Sequence, residues 1–262
     1  GVGYNVLLSL TTGIQNTAIG SGALDGNTAG GYNTAVGKDA LGAATTQSDQ
    51  NTAIGRACMS GAIGTADLNS CVAVGDAALA GALTAAASGT VAVGKSALNA
   101  LTSGADNMAI GQRAMATHTT GARNIAIGKS AMIDTNRGNT SLGSSDNVFI
   151  GHYAADGDWE DVACTQNVAV GNYSMTGGLN GALYNTCLGY SAGTSLTTGD
   201  SNVAIGFRAL YTEDGHGTNV AIGDSALRVL NAGANAYNTA VGNEAGVAVT
   251  TGIDNTLIGA AA

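Results

Sequence analysis

Apolar residues in this chain come in short clusters, each followed by a glycine, at a fixed long period. The phrase N-T/V-A-I/V-G reads Asn16-Thr17-Ala18-Ile19-Gly20, then Asn33-Thr34-Ala35-Val36-Gly37, then Asn51-Thr52-Ala53-Ile54-Gly55. It continues through Gly75, Gly94, Gly111, Gly128, Gly151, Gly171, Gly189, Gly206, Gly223, Gly242 and Gly259, mostly every 17 to 20 residues. Gly3 fits as the tail of one more copy. A period of this size means one supersecondary unit stacked on copies of itself. It predicts an all-β chain, a parallel β-roll or β-solenoid of about 15 coils counted from the repeated glycines.

Aligned on the glycine, the copies show what one coil does. Four residues earlier stands Asn in twelve of fourteen copies. These are Asn16, Asn33, Asn51, Asn107, Asn124, Asn147, Asn167, Asn185, Asn202, Asn219, Asn238 and Asn255; Cys71 and Thr90 are the exceptions. Such a column reads as a hydrogen-bonded ladder of side-chain amides at a turn. Two before the glycine stands Ala, except at Phe149, Cys187 and Leu257. One before always stands Ile, Val or Leu: Ile19, Val36, Ile54, Val74, Val93, Ile110, Ile127, Ile150, Val170, Leu188, Ile205, Ile222, Val241 and Ile258. Alternation along a strand puts Asn and Ala on one side and Thr/Val with Ile/Val on the other.

Both faces of this strand are therefore apolar, whereas a strand wetted on one side alternates apolar with polar. The Ala face suits a narrow interior. The Ile/Val face would form a continuous ridge of the kind that marks an interface, and we expect it to line the core of a homotrimer. After the glycine come two variable residues, then Ala and Leu or Met, as in Lys38-Asp39-Ala40-Leu41, and then often T-T-G. Each coil is expected to hold two short strands and two turns.

Composition agrees with a coil. There are 41 Gly and no Pro, with aromatic residues at 4%. Proline would remove ladder donors, and glycine permits sharp corners. A hydrophobic share of 45% argues against disorder. The net charge of −9 disfavours nucleic acid as a partner, because phosphate contact needs clustered cations. No apolar run is long enough for membrane insertion as a helix. The four Cys lack C-x-x-C spacing and read as small buried residues.

The N-x-A-I/V-G-x-x-A/S repeat resembles the head of trimeric autotransporter adhesins, the YadA-like head repeat, and is similar to repeats of phage tail-fibre and virion-fibre proteins. The resemblance covers essentially the whole chain. It implies a left-handed parallel β-roll, three chains around a threefold axis, and attachment to a surface outside the cell. The period is longer than that of the adhesin head, and the T-T-G turn looks more like the phage-fibre variety. Since the chain begins and ends inside a repeat, residues 1–262 are expected to be one repeat rod, a fragment of a longer fibre.

The repeat breaks at about 133–166, where the spacing between Gly128 and Gly151 widens to 23 around a degenerate copy, Asn139-Thr140-Ser141-Leu142-Gly143. The next coil carries His152, Tyr153 and Asp156-Gly157-Asp158-Trp159-Glu160-Asp161. A projecting loop with the single Trp is the expected recognition element, with Tyr153 and Trp159 as anchors among Asp156, Asp158, Glu160 and Asp161. Its receptor would be a glycan or protein of a cell surface; a tolerated surface insertion is the bland alternative. The EF-hand spacing fails after Asp158, His216 reads as a solvated turn, and no metal or cofactor is expected. Catalysis finds little support: neither a G-x-S-x-G turn nor a phosphate-binding loop is expected. Two readings remain, an adhesive trimeric fibre and a self-assembling filament that only spans distance.

Overall fold

The computed structural model describes residues 1–43, 47–61, 67–135, 143–160 and 162–262. Two compact units divide the chain, Gly1–Asn124 and Ile125–Ala262. Both are all-β, parallel β-solenoids.

The first unit stacks six three-residue strands in sequence order: β1 Thr17–Ile19, β2 Thr34–Val36, β3 Thr52–Ile54, β4 Val72–Val74, β5 Val91–Val93 and β6 Met108–Ile110. One 3-10 turn, Ala85–Ala87, is the helical element here. The second unit stacks eight: β7 Ile125–Ile127, β8 Val148–Ile150, β9 Val168–Val170, β10 Thr186–Leu188, β11 Val203–Ile205, β12 Val220–Ile222, β13 Thr239–Val241 and β14 Thr256–Ile258. Register is fixed by the repeat, so like pairs with like: Thr17 with Thr34, Ala18 with Ala35, Ile19 with Val36. Val2 bridges Ile19 in the same parallel sense, placing Gly3 in the glycine column.

The interior is as narrow as its alanines. Those two before the glycine, such as Ala35 and Ala204, are fully buried, as are the residues three and four after it, such as Ala40 and Leu41. Cys58 and Cys187 occupy these alanine slots, and all four cysteines are buried and unpaired. Burial raises the thiols of Cys58, Cys71 and Cys164 to about 11 and Cys187 to about 12.

The expectation of two strands per coil is corrected: among the described residues each coil carries one. The segment after the glycine stacks through backbone hydrogen bonds but is not extended. Its second and fourth residues have left-handed φ, for example Asp39 at 57° and Leu41 at 50°. The residue before the Asn does the same, as in Tyr32 at 59°. Each such non-glycine residue costs about 1–2 kcal/mol, and the stacked hydrogen bonds hold it there: Asp39 donates its N–H to Ser21 O at 2.8 Å and Leu41 to Cys58 O at 2.9 Å. Sequence propensity carries no signal for a left-handed Leu, which is why the pattern alone suggests a second strand.

The repeated glycines sit in a region closed to other residues. Gly206 has φ +135°, and a Cβ there would stand 2.6 Å from the carbonyl carbon of Gly223 in the next coil.

Candidate functional site

The Asn column forms the expected ladder. Asn33 Oδ1 accepts the Asn51 N–H at 3.0 Å, and Asn185 Oδ1 accepts the Asn202 N–H at 2.9 Å. Most of these amides also donate to a turn carbonyl one coil on, as Asn202 Nδ2 does to His216 O at 3.1 Å. Between the part-buried ends Asn16 and Asn255 these amides are buried and bonded to one another, so they hold the corner.

The opposite strand face is a surface. In both units the residues three and one before the glycine remain partly exposed around a buried centre. Ile19 is 46% exposed, Ile54 40% and Val170 36%. No charged residue stands at either position in any strand.

The insertion differs from the expectation. Trp159 is fully buried, so its reading as a surface anchor is corrected. Its backbone is part of the coil stack, donating to Asp134 O at 3.0 Å, and Glu160 donates to Leu179 O at 2.9 Å. The indole N–H donates to Ala155 O at 3.1 Å, and the ring meets Phe149 edge-on with centroids 5.8 Å apart. Phe149 occupies an interior alanine slot, and the two buried rings together fill this section of core. Phe149 was the signal for this, because a large residue in the alanine column needs a remodelled interior. Asp158 and Glu160 are exposed, and Asn180 Nδ2 donates to Glu160 Oε2 at 3.4 Å. Asp156 is half-buried; burial raises its carboxyl, and the Asp134 charge adds to the effect. Asp161 and residues 139–142 of the degenerate copy lie outside the described residues.

Among the described residues, Glu213, Asp214 and His216 come together closely enough to share an ion. Glu213 is fully buried but already occupied: Oε1 accepts the His216 N–H at 3.1 Å and lies 3.4 Å from His216 Nδ1, while Oε2 accepts the Ala232 N–H at 3.2 Å. Burial raises its carboxyl, opposed by these hydrogen bonds. The cluster staples a turn to the following coil.

Two segments correct the expectation that no catalytic pattern is present. Gly89-Thr90-Val91-Ala92-Val93-Gly94-Lys95-Ser96 spells a phosphate-binding loop. Such a loop needs free backbone N–H groups opening a helix. Here Val91 donates to Asn107 O, Gly94 to Val74 O and Ser96 to Asp76 O, all within 2.9 Å, and no helix follows. Gly189-Tyr190-Ser191-Ala192-Gly193 spells G-x-S-x-G. Ser191 has φ 55°, but Asp39, Ser96 and Ser225 share that conformation by coil position. No hydrogen bond joins its hydroxyl to a histidine among the described residues, and the side chain is buried. Both patterns arise from a solenoid rich in glycine.

One feature escaped sequence reasoning because its residues lie in different coils. Tyr153, Tyr173, Tyr190 and Phe207 form a row just past the glycine corner of the second unit. Tyr153 stacks on Tyr173 at 5.8 Å and 15°, and Tyr190 stacks on Phe207 at 5.7 Å and 20°. Tyr173 meets Tyr190 edge-on at 5.7 Å, and His152 lies 5.6 Å from Tyr173. Lys129 sits over Tyr153 at 5.6 Å and Arg208 over Phe207 at 5.0 Å, so a cation caps each end. The signal was available as Tyr or Phe one or two residues after consecutive glycines.

No family model and no curated protein matches this chain. No helix among the described residues is long and apolar enough to cross a membrane.

Proposed function

We propose that this chain is a structural and adhesive fibre: three copies pack their Ile/Val ridges around a common core and present the outer coil surface to a target outside the cell. The observation that carries the reading is the uncharged sheet face. Ordinary solvated surfaces scatter apolar residues singly; here every strand of both units repeats them in register. A face of Thr, Val and Ile repeated in register matches a second copy of itself, because each coil offers similar residues at the same place. The resemblance to adhesin heads and phage fibres supports the same assembly.

A self-assembling filament without a receptor is the second reading. Trp159 favours it, since its burial removes the most prominent candidate anchor.

The experiment is sedimentation of the wild-type chain beside Ile110→Asp. The proposal expects a three-chain mass for the wild type and its loss in the variant, because three carboxylates would be forced together in a dry core. Equal single-chain masses would contradict it.

A further inference from the structure

We propose that the row of rings on the second unit is the binding site for a linear anionic glycan; the inference deepens the attachment reading and rests on it.

The row stands where several other coils keep polar residues. One and two positions past the glycine stand Lys38 and Asp39 in one coil and Asn243 and Glu244 in another. From Lys129 to Arg208 the same positions carry rings in four consecutive coils and no carboxylate. Rings that served packing alone would be covered. Instead Tyr173 is 38% exposed, Tyr190 46% and Phe207 45%. Tyrosine presents rigid amphipathic contact area at low entropic cost, the property that binding surfaces select.

The charge selects the ligand's sign. Lys129 and Arg208 are the charged groups of this row, on a chain whose net charge is −9. These two cations give an anion lying along the rings an attractive partner at each end. Two cations are too few for nucleic acid, whose phosphates demand a denser array. A peptide adding as a strand needs an open sheet edge, whereas β8 to β11 are each paired on both sides.

The geometry selects a polymer. The rings advance one per coil at 5.7 to 5.8 Å, a periodic track along the stack. A sugar chain matches such a track, offering apolar C–H patches to the ring edges and hydroxyls to the phenols and to exposed Asn172. Acidic substituents of the chain would meet Lys129 and Arg208.

The test is calorimetric titration of the intact chain with a sulfated heparin-type hexasaccharide, its desulfated counterpart, neutral cellohexaose and a single-stranded oligonucleotide. The sulfated probe should bind and weaken with added salt. The Tyr173→Ser, Tyr190→Ser double variant should lose about tenfold or more in affinity, while Tyr184→Ser, an exposed tyrosine outside the row, should not. Should the double variant unfold, Arg208→Gln decides, and it should lose severalfold for the sulfated probe. No binding of the sulfated probe, equal binding by Arg208→Gln, or preference for the neutral sugar or oligonucleotide would overturn the proposal. Native mass read on the same samples separates the two ideas. A single chain that binds the sulfated probe removes the trimer and keeps the site; a trimer that binds nothing removes the site and keeps the assembly.

Discussion

Asn202 takes the Asn185 side-chain oxygen with both its backbone N–H, at 2.9 Å, and its side-chain amide, at 3.1 Å, while its own oxygen accepts the Asn219 N–H at 3.1 Å. Each amide is at once donor down the column and acceptor up it. Asn202→Ala should therefore orphan a buried N–H as well as remove hydrogen bonds, costing about 3 kcal/mol in a chemical unfolding experiment. Asn255→Ala, part-buried in the last strand's coil, should cost distinctly less. The column also has natural gaps: Cys71 and Thr90 interrupt it, and the buried Thr90 hydroxyl has no partner. Replacing both by Asn should raise stability by about 1–2 kcal/mol; a lower denaturation midpoint would show that the ladder is not what holds this corner.

The glycine column and the left-handed residues give opposite expectations for glycine and alanine. Gly206→Ala should be severely destabilising, about 3 kcal/mol or more, because its φ is nearly exclusive to glycine and the next coil's backbone occupies the space. Ala57→Gly, at φ 51° two residues past Gly55 of the same glycine column, should be neutral or slightly stabilising, as strain relief offsets the greater freedom of the unfolded chain. Melting temperatures of the two variants check the pair.

Trp159 belongs to the core, so Trp159→Ala should cost about 3–5 kcal/mol through the cavity left against Phe149. Attachment measured on the folded fraction should be unchanged. Full stability with lost attachment would return the residue to the surface role.

His118 is fully buried, and burial pushes it down to about 4 from 6.5, opposed by its hydrogen bond to Gly121 O at 3.1 Å. The unfolded chain then binds a proton that the folded chain refuses. Stability contributed by this group is complete above pH 6.5 and falls as pH drops toward 4, by about 3 kcal/mol in total. His118→Asn should flatten that limb of a stability-against-pH curve; an unchanged slope would remove His118 as its cause.

The sequence was most informative where a residue's meaning is set by its place in the repeat. The strands, their register, the Asn ladder, the alanine interior and the apolar outer face all follow from aligning glycines, because stacking forces each residue beside its own copy. It was least informative where conformation departs from propensity or where neighbours are a coil apart. The left-handed Leu41 carries no local signature. Trp159 looked exposed because aromatic residues in an irregular, acidic stretch usually are, and only Phe149 in the alanine column told otherwise. The ring row is invisible to a linear reading, since Tyr153 and Tyr173 are neighbours only after stacking. Short motifs misled in the other direction: in a chain with 41 glycines, G-x-x-x-x-G-K-S and G-x-S-x-G match without their structural context.

The central claim is that the Ile/Val face is a contact between copies of this chain. The most direct measurement is the native mass of the unmodified protein across a dilution series. The account predicts three times the 25.5 kDa chain mass, stable on dilution as expected of an obligate apolar core. A stable single chain at every concentration would contradict it.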